Sequence, residues 1–376
     1  MTATGWSDEL LASMRTKGDE WADSLIKEII TKGGGEAGAG EATLGQLLTQ
    51  IVSVRDSIPD DLAPDLKDYF LASDEPEWLD LNMLVLGEQV YAKYVAELGL
   101  ILLCASLPAC YADAPGTPVL YITTQLTSHV ERRIIQTLQF VIDVMVPGGL
   151  SGSGHGAITA KKVRLIHAAN RYILRTHPEA HYDEAKLGCP LNQEDLALTL
   201  MTFATTVLDC LAKIEIPLSA NEQQAYFHTW RYIGHLMGIV PELLPATIAD
   251  GANMMQAIAE RVYGPSESGQ ALTKGLIDFL EGLLRDTPFT GFIPAKIRFY
   301  MGDEVSDMLA VPSVHWQLEL QRIVPDLREV ETKLLGGHEM AGVSHSLGRA
   351  LLDALEVLQR NDARPMFQVP DALRQN

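Results

Sequence analysis

Apolar residues recur at helical spacing through most of this chain, whereas strict apolar/polar alternation is scarce and β-branched clusters such as Val119–Thr124 are short. Breaks rich in Pro and Gly fall at Pro59–Pro64, Pro108–Pro118, Pro147–Gly156, Pro178–Pro190, Pro241–Pro245, Gly264–Gly269, Pro288–Pro294 and Pro312. The stretches between them predict roughly ten or more helices joined by short loops. A first helix is expected from about Ser7 to Thr31, and a last one near Ser344–Asn361. Gly33, Gly34, Gly35, Gly38 and Gly40 then read as a linker, because they follow a helix and lack the Lys-Ser/Thr ending of a phosphate loop. Residues 1–45 are expected to form a helical extension with this linker, and residues 46–376 a single all-α domain. The longest uncharged apolar stretch, Leu98–Ala112, falls short of the roughly 20 residues a spanning helix needs. It predicts a buried core helix and no membrane span.

Composition narrows the function classes. With 47% apolar and 21% charged residues the chain can bury a substantial core. A formal net charge of -20 argues against a nucleic-acid partner, since phosphate binding needs a basic surface. Cys104, Cys110, Cys189 and Cys210 form no C-x-x-C pair, so zinc ribbons, thioredoxin-type motifs and covalent haem attachment lack support. Free buried thiols and a polar N-terminus without an apolar core lead to the expectation of a cytoplasmic protein. The oligomeric state is not legible.

Three segments carry candidate chemistry. On a helix over Ser128–Ile142, Arg133, Gln136, Thr137 and Phe140 share one face. A buried Arg–Thr face must meet an anion, a polar ligand or a satisfied network; a salt-bridged Arg and a Thr bonded back to its own helix would also explain it. In Ile158–Leu174, Val163, Ile166, His167, Asn170, Ile173 and Leu174 form an inward stripe, with Arg164, Arg171 and Arg175 on the other side. His167 is then an axial-ligand candidate, with small neighbours Ala168 and Ala169 leaving room for a flat group. From spacing alone, a histidine satisfied within the core is the simpler reading. In Tyr226–Ile239, Trp230, Gly234 and Gly238 mark a seam for a helix or a macrocycle, and His228 and His235 could share a face. No zinc or di-iron signature is complete.

The order of these segments adds what no single one supplies. Arg133-x-x-Gln136-Thr137, Lys162-Val163-Arg164-Leu165-Ile166-His167-Ala168, Pro190-Leu191-Asn192-Gln193-Glu194-Asp195-Leu196 and Trp230–Gly238 follow one another. The series resembles, over roughly residues 80 to 300, the catalytic domain shared by latex clearing proteins (rubber oxygenases) and the fungal oxygenase of mycophenolic acid biosynthesis. The resemblance implies an all-α fold with a globin-like core, additional peripheral helices and one non-covalent haem b. It implies His167 as the iron ligand, and Arg133 and Thr137 as distal-side residues needed for activity or haem retention. Gln136 falls where rubber-cleaving members carry a Lys able to reach the iron; an amide ligates iron poorly but donates a hydrogen bond. The family's upstream Glu has no counterpart between Pro108 and His129, which leaves Asp113 as a stand-in acid. The implied activity is O2-dependent attack on a C=C bond, with a small apolar isoprenoid or lipid as substrate. A haem protein that senses gas or redox state, and a fold that has lost its haem, are the competing readings.

Overall fold

The computed structural model describes residues 6–33, 47, 48, 50, 51, 58–60, 62–72, 75–127, 130–152, 154–177, 181–285, 287, 289–314 and 339–360. Most of the Gly-rich linker expected at residues 33–40 lies outside them. The helices are α1 (Asp8–Arg15), α2 (Glu20–Gly33), α3 (Pro64–Leu71), α4 (Leu81–Lys93), α5 (Val95–Ile101), α6 (Leu107–Tyr111), α7 (Thr117–Thr127) and α8 (Val130–Met145). They continue as α9 (His155–Thr176), α10 (Glu184–Leu187), α11 (Gln193–Lys213), α12 (Ala220–Leu236), α13 (Ile248–Val262), α14 (Glu267–Leu283), α15 (Ile293–Met308) and α16 (Glu339–Arg360). Among the described residues there is no strand, only an isolated bridge between Asp113 and Tyr263. The all-α expectation holds.

Local chemistry sets many of these starts. Side chains of Ser7, Asp80, Asn192, Thr247 and Ser266 accept from the first free N–H groups of their helices, and Ser219 with Glu222 closes a reciprocal capping box. The first helix is not continuous as the periodicity predicts. It breaks at Thr16–Asp19, where the carbonyls of Lys17 and Gly18 accept from the backbone and side chain of Gln193. Those tertiary bonds take over from helical ones, and spacing alone does not reveal them.

The central helix is α11, buried along most of its length and packed by α12, α13 and the short α1. It is also long and apolar enough to cross a membrane, but most of it lies inside the fold, as the core helix of a globular protein would. Leu98–Ala112 is the buried core segment expected, with a π-helical turn at Leu102–Ser106 just before Pro108. Helices α4 and α12 approach closely at Gly87, where a Cβ would lie 2.1 Å from Thr229 Oγ1. A smaller second cluster joins Ala22, Ile26, Leu66 and Phe70 to Leu165, Ala168 and Ala169 of α9. All four cysteines are free and buried.

Candidate functional site

The candidate residues sit on a helical hairpin, α8 and α9, whose connection is tightly built. Glu88 accepts from the N–H groups of Gly148 (2.8 Å) and Leu150 (3.4 Å), and His155 Nε2 lies 3.2 Å from Asp143. A Cβ on Gly156 would fall 2.6 Å from the Asp143 carbonyl, so the two chains can approach this closely only with glycine there. The hairpin thereby fixes the register of His167 against Arg133.

His167 is only half-buried. Val163, Asn170 and Ile173 on the same face are likewise only half-buried. His167 Nδ1 is buried and has no hydrogen-bond partner among the described residues. Burial, then the positive charges of Arg171 and Arg133, push the imidazole down to about 3, so it is neutral throughout the ordinary pH range. A neutral, half-buried imidazole with an unsatisfied Nδ1 is not the satisfied core histidine that spacing alone favours.

Arg133 is half-buried too. Its Nη1 donates to Thr123 Oγ1 (3.1 Å) and to the Leu120 carbonyl (3.4 Å), both on α7, and it has no carboxylate partner among the described residues. Burial pulls the guanidinium below its ordinary value, opposed by the nearby Tyr111 and Cys110. Thr137 donates to the Arg133 carbonyl at 3.0 Å, the back-bond that the helix alone could explain. Gln136 is exposed, turned further from the core than Arg133 and Thr137.

Several expectations around this pair shift. Ala168 and Ala169 do not leave room beside His167; they pack against α2 in the second cluster, because successive helical residues turn about 100°. Arg171, expected outside, is 1% exposed, where its Nε donates to Asp23 (2.7 Å) and its Nη1 to the Leu191 carbonyl (3.1 Å). Asp113 is committed elsewhere: it is buried beside Arg15 and Asp195, and burial pushes its carboxyl up to about 6. Trp230 stacks on Phe203, and Gly234 receives Leu200 and Leu244, so that seam serves helix packing. His228 accepts from the Asp80 N–H at 3.1 Å, and both His228 and His235 pack edge-on against Trp78. No cluster of three or more His, Cys, Asp or Glu side chains able to hold a metal occurs among the described residues. Sequence reading missed Thr123, Cys110 and Tyr111 as neighbours of Arg133; they belong to other helices, and no spacing rule links them.

Residues 93–329 match the family described as ER-bound oxygenase mpaB/B'/rubber oxygenase, catalytic domain. The chain belongs to this family. It is an oxygenase with an all-α fold. The rubber oxygenase of Streptomyces sp. (strain K30) is 26% identical over 373 residues, covering 95% of this chain and 86% of that protein. The latex clearing protein in its closed state superposes with a TM-score of 0.74 at 21% identity, covering 95% of each chain. The likeness spans nearly the whole chain, the hairpin of Arg133 and His167 included.

Proposed function

We propose that the chain binds one haem b between α8 and α9, with His167 as iron ligand, and uses O2 to cleave or oxygenate a C=C bond of an apolar isoprenoid or lipid-like substrate. The observation that carries this reading is His167 itself: neutral, hydrogen-bonded to nothing among the described residues through its buried Nδ1, and only half-buried. A core histidine in that state would waste its polar atoms, whereas a metal ligand uses one of them. Arg133 supports it as a buried cation without a carboxylate, suited to a propionate, a bound anion or a polarised oxygen.

The residues present therefore fit the group. When bound, the haem supplies redox activation of O2 at its iron. His167 would hold it through a ring nitrogen that needs no deprotonation. Arg133 would direct N–H groups at developing negative charge, and the helical back-bond of Thr137 steadies the turn that carries it. Val163 and Ile173 give the same face an apolar lining that favours a hydrocarbon substrate over water. For cleavage, both atoms of O2 end in two carbonyl groups as the C=C bond is lost. Rubber is named as the substrate of the Streptomyces relative; a shorter isoprenoid is the reading here, and Gln136 in place of an iron-reaching Lys fits a site that does not close itself in that way.

The test is an absorption spectrum of the purified chain with haem supplied. One haem per chain and a Soret band are expected, both lost in His167→Ala. No Soret band in the wild type, or an unchanged one in the variant, would overturn the reading. Oxygen uptake with short polyprenyl compounds then separates an active oxygenase from a haem protein that only senses.

A further inference from the structure

Arg133 reaches its position through a neighbour on another helix. Its Nη1 donates to Thr123 Oγ1 at 3.1 Å, and Thr123 Oγ1 in turn donates to the carbonyls of Val119 (2.8 Å) and Leu120 (3.2 Å). The hydroxyl thus has its proton committed to its own helix and presents a lone pair to the guanidinium. The Leu120 carbonyl accepts from the same Nη1 at 3.4 Å. No described carboxylate competes for Arg133, and its remaining N–H groups have no described partner. A long, charged side chain in an enclosed site has many rotamers to choose from, so the one it adopts must be specified by what it bonds. Anchoring one nitrogen to neutral acceptors specifies it and leaves the full positive charge for a ligand; a carboxylate anchor would cancel that charge.

We propose that Thr123 is a positioning residue for the oxygenase site: its hydroxyl holds the guanidinium of Arg133 on the same α8–α9 hairpin that carries His167. Thr123 touches neither substrate nor cofactor in this assignment; it acts through Arg133. The inference rests on the haem reading above.

Fluoride binding to the ferric, haem-loaded protein tests it without using turnover, because bound fluoride accepts hydrogen bonds from distal donors. Arg133→Met is expected to weaken fluoride strongly. Thr123→Val is expected to weaken it about fivefold, the equivalent of one ordinary hydrogen bond, while Thr123→Ser keeps the wild-type value. Adding Thr123→Val to Arg133→Met should change nothing further, because the two act in series. Thr123→Ala serves the same purpose if the valine variant does not fold, and helicity of the unloaded chains checks this. Wild-type fluoride affinity in the folded Val or Ala variant overturns the assignment, as does an equal loss in the Ser variant or a further loss in the double variant. A wild type that takes up no haem sinks the haem reading and this inference with it; a loaded wild type matched by Thr123→Val sinks the inference alone.

Discussion

At the scale of single residues, the candidate site joins a cation with no described carboxylate partner to an imidazole whose Nδ1 has no described partner. Several other cations in the fold have an anion: Arg171 meets Asp23, Arg164 meets Asp19 and Arg15 meets Glu194. Arg133 instead meets a hydroxyl and a carbonyl, and His167 meets nothing at Nδ1. This has a consequence for the unloaded protein. The folded chain keeps His167 neutral down to about 3, whereas an unfolded chain protonates it below 6.5. The unfolded state therefore binds more protons between those values, so stability falls as pH drops from 6.5 towards 3 and is flat in this contribution below that. His167→Leu should lose this share. Its urea midpoint, compared with that of the unloaded wild type at each pH, is expected to gain as the pH falls through that window. A constant difference between the two would show that the imidazole is not held neutral.

At the scale of elements, helical periodicity made the all-α class legible, and breaks such as Pro147–Gly156 marked the real turn between α8 and α9. Arg133, Thr137 and His167 were legible as candidates because their helices are amphipathic and their order is shared with a family. What escaped was tertiary. Thr123 lies on a different helix from Arg133, and the break at Thr16–Asp19 is set by Gln193, far along the chain. The last helix, α16, adds a further case. It docks on α5, with His345 Nδ1 2.9 Å from Glu97 and a close approach of Gly348 to the Ala96 carbonyl. Ser344 accepts from Lys296 Nζ at 2.8 Å, and that ammonium otherwise faces the rings of Phe299 and Tyr300. The titratable groups near it, Cys104 and Cys210, are both pushed up to about 12 by burial and offer no negative charge. Burial moves Lys296 down to about 7 from an ordinary 10.5, so the unfolded chain holds its proton over that range while the folded one does not. Stability should rise with pH between 7 and 10.5. Lys296→Met, which keeps most of the packing, is expected to flatten that rise and to be the more stable chain at pH 7; urea midpoints at several pH values check it.

At the scale of the molecule, the short α1 is bound into the body by a network of buried charges. Glu194 is fully buried and accepts from Arg15 Nη1 and Arg261 Nε, each at 2.8 Å. Arg15 also lies 3.2 Å from Asp195 and 3.8 Å from Asp113, and the Asp113 and Asp195 carboxyls are close enough to influence each other. Burial raises both, and their mutual repulsion raises Asp195 further, so the pair holds on to a proton. Three carboxyls thus share two guanidinium groups, and removing Arg15 leaves the other acids exposed to one another with little water to solvate them. Arg15→Met should cost about 3–5 kcal/mol, as breaking a buried pair does. Because Asp113 and Asp195 then lose a cation, their folded-state pKa values climb further, and the folded variant takes up protons that its unfolded form does not. Its deficit should accordingly be largest at neutral pH and shrink on acidification. Added salt should leave the deficit nearly unchanged, since a buried network is screened far less than the surface charge of a chain carrying a net -20. A deficit that salt removes, or that acid fails to reduce, would mean that α1 is held by its apolar contacts through Leu11 and Met14 and not by this network.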